Sequence, residues 1–424
     1  MTAAVGAAFV TLLILGVPIW LVLGGSATTL FALEGQPLVG VAQKIVDELN
    51  SSTLLAVPYF VAAAVFMERG NVARALIGAA EAWVGGVRGG LGLVCVLSCT
   101  IFAAMCGSSV ATAMAMGTIL VPAMLRAGYE RHFAAGIVAS SGTLGILIPP
   151  SLAFVVYGVL ADEAIPRLFL AGVVPGLLQA ALIGGWILYY AHRRGYARQE
   201  PLPVAEKLRR SVHAIPALAV PVIVLGGIYG GLVTVTESAA LSAVVAMLLA
   251  VFVYRGVTVG DFLAVLAEAI RNAAAIMIII AVALVFGHWV TETGVAGRLA
   301  RFVTEAGITW WQFLIVVNLV LLFLGMFLEV FSVLLLTLPV IIPMLAPLGI
   351  DPVHFGVVMT VNMELALLTP PVGLNLFVIA GITRAPLSEV VRGTTPFLVL
   401  MLGLLAVITY VPGLSLWLVR MFYG

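Results

Sequence analysis

Ser140-Ser141-Gly142-Thr143-Leu144-Gly145-Ile146-Leu147-Ile148-Pro149-Pro150-Ser151 lies inside an apolar run too long for one ordinary helix, and two prolines interrupt it. Proline removes a backbone donor and leaves carbonyls without helical partners. Glycine lets the main chain come close to a small ligand. The interruption is not solitary. Pro122, Gly128, Glu130 and Pro149-Pro150 recur as Pro343, Gly349, Asp351 and Pro370-Pro371, at a constant offset of 221 positions and with no gap over 29. Repeated breaks at corresponding places in two halves are the best sequence pointer to a transporter binding site.

Composition places these breaks in a bilayer. Of 424 residues 63% are hydrophobic and 9% charged, with a mean hydropathy of +1.21. Soluble chains carry about 25% charged residues. Residues 89–125 hold no charge, and residues 302–326 only Glu305. A spanning helix needs ~20 apolar residues, so the expected class is an all-α polytopic membrane protein. The short alternating segments of a transmembrane barrel are missing. A net charge of +1 gives no reason to expect nucleic acid. No basic residue precedes Lys44, so the chain from Val5 onward reads as mature structure without a cleaved signal peptide. Cys95, Cys99 and Cys106 share one apolar stretch at no metal-ligand spacing and read as buried packing thiols.

Apolar elements are expected near 5–22, 24–40, 54–67, 90–106, 108–125, 132–160, 166–190, 213–233, 237–254, 272–290, 310–327, 330–346, 353–382 and 393–416. The basic stretch 191–212 separates a first repeat, 1–190, from a second, 213–424. It reads as a cytoplasmic linker, because short loops rich in Lys and Arg stay inside. Each repeat would hold scaffold helices, a hairpin (about 90–125 and 310–346) and a broken helix (about 132–160 and 353–382). Equivalent loops carry opposite charge bias. Arg126 and Arg131 face only Asp351 in the counterpart, and Asp162, Glu163 and Arg167 match Arg384, Glu389 and Arg392. If both hairpins are re-entrant, each half crosses five times and the repeats are inverted. If they span, each half crosses six times and the repeats are parallel. Glu68, Gly70 and Arg74 echo as Glu292, Gly294 and Arg298 at an offset of 224, either as part of the repeat or as matching amphipathic helix ends.

Freed carbonyls and hydroxyls at the breaks suit a hard cation, and half-helix N-termini suit an anion. The run 102–112, with Gly107, Ser108, Ser109 and Thr112, supplies small hydroxyl residues that serve either as hairpin-tip ligands or as helix packing. Glu329 and Glu364 lie in apolar surroundings, where a carboxylate is costly and suggests function, unless it sits at an interface or pairs structurally. Asn362 reads as a ligand. Asn375 is a ligand or helix glue. No HExxH, P-loop or ATP site occurs, which excludes ATP-driven pumping on motif grounds. His132, His192, His213, His288 and His354 are scattered at no metal spacing. An intramembrane enzyme built on Glu329 or Glu364 lacks an evident nucleophile or metal partner.

At these residues the chain resembles the large permease subunit (DctM type) of tripartite ATP-independent periplasmic (TRAP) transporters. The resemblance covers nearly the whole chain and rests on 107–112, 142–151, Gly349-Ile350-Asp351-Pro352-Val353-His354-Phe355-Gly356 and Thr369-Pro370-Pro371-Val372-Gly373-Leu374-Asn375-Leu376-Phe377. Ala366 stands where many relatives have glycine. The resemblance implies an elevator-type ion-transporter fold with sodium as coupling ion and no other cofactor. One sodium site would draw on Gly107, Ser108, Ser109, Gly142, Thr143 and Gly145, the other on Gly325, Met326, Thr369 and Gly373. An organic acid would bind between them, near Thr112, Pro149, Pro150, Asn362, Pro370 and Pro371. It further implies a bacterial inner-membrane location, a small four-helix membrane subunit (DctQ type) and a periplasmic substrate-binding protein, so this chain would not transport alone. A stand-alone sodium-coupled anion permease is the alternative.

Overall fold

The computed structural model describes residues 5–424 except 6, 10, 13, 14, 36, 197 and 199, and no strand occurs among the described residues. The first expected element, 5–22, lies partly outside them. Eight helices among the described residues are long and apolar enough to cross a membrane. The protein is a multi-pass, all-helical membrane protein.

The same series of elements occurs twice. In the first half, α3 (Ala56–Arg69) and the short α4 (Val72–Val84) precede a hairpin of α5 (Gly90–Cys106) and α6 (Ser109–Arg126). The broken pair α7 (Arg131–Leu147) and α8 (Leu152–Ala161) follows, then the long α9 (Ile165–Arg194). In the second half the order is α12 (Phe262–Glu292), α13 (Val295–Glu305), hairpin α14 (Trp310–Gly325) with α15 (Val330–Leu345), broken pair α16 (Pro352–Ala366) and α17 (Leu374–Thr383), and α18 (Leu387–Tyr410). Outside the series lie α1 (Ile19–Leu33), α2 (Leu38–Leu49), α10 (Val204–Tyr229), α11 (Val235–Val253) and the terminal α19 (Gly413–Tyr423).

Local chemistry explains the boundaries. Asp351 caps α16, accepting from the backbone N–H of Val353 at 2.8 Å and of His354 at 3.2 Å, with Pro352 in the first helical position. Thr309 and Gln312 close a capping box on α14. Glu329 caps α15 by accepting from Ser332 N–H at 3.2 Å and Ser332 Oγ at 3.1 Å. At the first hairpin tip Gly107 has φ +61°. A Cβ there would lie 2.9 Å from the Pro150 carbonyl, so conformation and space both require glycine. Ser151 holds the first break together: its hydroxyl donates to the Ile146 carbonyl left over from α7 and accepts from Phe154 N–H at the start of α8.

Three expectations are redrawn. Helix α1 crosses the expected gap between 22 and 24, because the glycines there keep helical geometry. Helices α4 and α13 are amphipathic and too polar on one face to register as apolar runs. The expected linker is partly helical, since α9 runs to Arg194 and α10 begins at Val204. Its basic residues grip α4: Arg210 pairs with Glu81 at 2.8 Å, Trp83 Nε1 donates to Ser211 Oγ at 2.9 Å, and Lys207 lies over the Trp83 ring.

The broken helices form the centre. Every residue from 133 to 158 is buried, break included. Helix α7 crosses α18 where Gly136 meets the Gly393 backbone and Gly393 meets the His132 carbonyl. The second broken helix is buried through 353–368 but opens at its break, where Pro371 is exposed.

Candidate functional site between the hairpin tips

Within the first expected cation cluster the structure brings Ser108 against Gly145. A Cβ on Gly145 would stand 2.5 Å from the Ser108 carbonyl, and one on Gly142 2.6 Å from Ala113 Cβ. The tip of the first hairpin therefore sits directly on the end of α7. Ser108 caps α6 through a 3.5 Å contact from Ala111 N–H. Ser109 is buried, and its hydroxyl accepts from Asn375 Nδ2 at 2.7 Å. Thr143 donates to the Ser140 carbonyl at 2.8 Å and accepts from Gln179 Nε2 of α9 at 3.0 Å.

The four residues of the second cluster also converge. Val372 N–H donates to the Met326 carbonyl at 3.2 Å, which joins the second hairpin tip to the second break. A Cβ on Gly325 would stand 2.4 Å from Ala366 Cβ. Gly373 has φ +54°, and its Cβ would meet the Thr369 carbonyl at 3.0 Å. Thr369 Oγ1 donates to the Leu365 carbonyl at 2.6 Å. Each hairpin tip thus meets the break that follows it in sequence.

A cavity of about 360 Å³ opens between the tips, within the range of small-molecule sites, about 300–1,000 Å³. Gly107, Ser108 and Ser109 form one wall and Glu329, Val330 and Phe331 another, while Glu68 of α3 and Asn272 of α12 close it. No lysine or arginine is among its lining residues. The six residues expected around the substrate do not line it. Thr112 turns its hydroxyl back to the Ser108 carbonyl at 2.7 Å, and Pro149 and Pro150 are buried behind the first tip. Asn362 is fully buried and donates to Asn318 Oδ1 at 2.7 Å, while Pro370 and Pro371 lie at the partly open second break. The cause is geometric, because the tips reach over the breaks and present their own residues to the cavity.

Sequence reasoning missed Glu68 and Asn272 as site residues. Glu68 entered only as part of the weaker echo, and Asn272 opens a predicted apolar element as an ordinary helix-end residue. The one signal available was the Glu68 carboxylate at the end of an apolar run. Glu364 behaves differently from Glu329. It is fully buried, and Gln179, whose amide donates to Thr143, lies near it.

The family profile described as "Tripartite ATP-independent periplasmic transporter, DctM component" matches residues 6–414. The C4-dicarboxylate TRAP transporter large permease protein DctM of Pseudomonas aeruginosa is 43% identical, over 92% of this chain and 91% of that protein. The isethionate TRAP transporter permease protein DctMQ of Oleidesulfovibrio alaskensis is 37% identical, over 96% of this chain and 65% of that longer protein. The YdaH transporter of Alcanivorax borkumensis superposes with a TM-score of 0.64 at 14% identity, covering 90% of each chain, which is a likeness of fold alone.

Proposed function

Since the chain belongs to the DctM component family of tripartite ATP-independent periplasmic transporters, we propose that it imports an organic acid by sodium-coupled, elevator-type secondary transport. It is a membrane permease subunit, and its family implies a small membrane subunit and a substrate-binding protein as partners. The relatives' names, which include C4-dicarboxylate and isethionate transporters, support an organic acid as substrate, here taken across the bacterial inner membrane. Repeats 1–190 and 213–424, joined through 191–212, would be inverted, with both hairpins re-entrant.

The observation that carries the reading is the cavity between two matched tip-and-break cradles. An acid entering it meets Glu68 and Glu329 and no basic side chain. Desolvating a carboxylate among carboxylates is unfavourable unless cations accompany it. Sodium at the two cradles supplies that countercharge. Gly107, Ser108, Ser109, Gly142, Thr143 and Gly145 would hold one ion, and Gly325, Met326, Thr369 and Gly373 the other. The substrate would lie in the cavity against Ser108, Ser109 and the capped start of α15. Thr112, Pro149, Pro150, Asn362, Pro370 and Pro371 would shape the breaks behind it.

Liposomes holding the chain with its small subunit test this directly. Accumulation of the acid should require both an inward sodium gradient and the periplasmic protein. Uptake that proceeds equally without the gradient removes sodium coupling, and uptake without the binding protein favours a stand-alone permease.

A further inference from the structure

We infer that Asn375 is a ligand of the first cation site, contributed to it by the second half of the chain. This rests on the proposed sodium-coupled reading and adds to it a residue outside both expected clusters.

Asn375 is the second residue of α17, two residues after Gly373 of the second cradle. Its side chain nevertheless points to the first. Nδ2 donates to Ser109 Oγ at 2.7 Å and to the Ala139 carbonyl at 3.3 Å, so residues 266 and 236 positions away are joined through one amide. The nitrogen and oxygen of a carboxamide share one carbon, so fixing Nδ2 on Ser109 and Ala139 also fixes where Oδ1 stands. Asn375 is fully buried, and its Oδ1 has no hydrogen-bond partner. Ser140 and Ser141, next in chain to Ala139, also bury hydroxyls without partners.

A buried acceptor is expected to be satisfied. An amide serving only as glue between helices uses its donor alone, and here it leaves a buried acceptor unfilled. A cation accounts for both atoms. Nδ2 fixes the orientation of Ser109, whose oxygen keeps a second lone pair, and Oδ1 adds a hard oxygen ligand. The fold alone does not demand this residue. At the 221-residue offset the first half carries Phe154, a fully buried apolar side chain, so the equivalent break forms without an amide. The first cation site is then composite, and ordering of the second cradle around Gly373 also sets the ligand that Asn375 offers to the first.

The test uses the chain purified and reconstituted with its small subunit and binding protein, comparing wild type, Asn375→Leu and Asn375→Asp. Leucine keeps the branched shape and removes both polar atoms, whereas aspartate keeps the oxygen and adds charge. Two quantities are read: the sodium concentration giving half-maximal uptake, and the rise in melting temperature on replacing choline with sodium. The expected result is a tenfold or greater increase in half-saturation for Asn375→Leu, with its sodium-dependent melting shift reduced. Asn375→Asp should stay within about threefold of wild type. If Asn375→Leu keeps the wild-type half-saturation and melting shift, or if both variants lose them equally, the oxygen is no ligand. If the wild type itself responds to sodium in neither measurement, the underlying sodium reading fails, and this inference fails with it.

Discussion

At the residue scale, the helical cradle glycines Gly142, Gly145 and Gly325 are set by contact distance rather than by freedom of rotation. Gly145 has ordinary helical geometry, yet its missing Cβ is what lets the Ser108 carbonyl approach. Gly185 in α9 is also helical but has open space where a Cβ would go. The two should therefore respond oppositely to alanine. Gly145→Ala forces the hairpin tip off α7 and should destabilise by about 1–3 kcal/mol, the usual cost of overpacking. Gly185→Ala should be neutral or stabilising by about 0.5–1 kcal/mol, because alanine is the better helix former. Thermal unfolding of the two variants in detergent measures this. Equal melting temperatures would mean that the tip is not tightly seated. Gly145 and Gly107 were both expected at a cation site from the family resemblance. Ser108 and Pro150 were expected at the cation and substrate sites by the same resemblance, but their contacts with Gly145 and Gly107 are tertiary.

At the element scale, the first broken helix depends on one side chain. Ser151 satisfies the Ile146 carbonyl near the end of α7 and the Phe154 N–H in the first turn of α8 together. Helix ends in a bilayer have no water to fall back on. Ser151→Ala should cost about 0.5–2 kcal/mol for the lost cap, and about 1–3 kcal/mol more for the buried carbonyl left unpaired. Ser151→Thr keeps the hydroxyl and should recover most of that loss. A melting temperature for Ser151→Ala equal to wild type would show that the break is held by its prolines and packing. The breaks themselves were plain in the sequence, because a proline pair acts on its own backbone wherever it stands. The amphipathic helices α4 and α13 and the helical start of α10 were not. Their apolar faces are narrow stripes that become meaningful only against a partner, as Trp83 does against Ser211 and Lys207.

At the scale of the whole molecule, the proposed elevator predicts that the hairpin tips slide against the helices that close the cavity. Val65 of α3 and Val110 of α6 both line it, from opposite sides of that expected boundary. Val65→Cys and Val110→Cys, combined in a chain whose three native cysteines are replaced, should be joined by a short bifunctional thiol reagent. Cross-linking should abolish sodium-driven uptake, and cleaving the link should restore it. Unchanged uptake with the link in place would place both residues on one rigid body. The same cavity explains why composition alone was a poor guide to the substrate. The chain has a net charge of +1, yet the surroundings of its central cavity are acidic.

What the sequence determined by itself was everything that acts locally along the chain. Long uncharged runs dictated helices in a bilayer, proline pairs dictated where two of them break, and Gly107 dictated where the first hairpin turns. These effects need only the few residues on either side, so one sequence suffices to read them. Only the tertiary structure decided which surfaces face each other. It put Glu68 and Asn272 on the cavity, turned Asn362 away toward Asn318, and carried the Asn375 amide across to Ser109. Such meetings join residues hundreds of positions apart. They are fixed by how whole helices pack, through close glycine approaches and complementary faces that no periodicity within a single segment records.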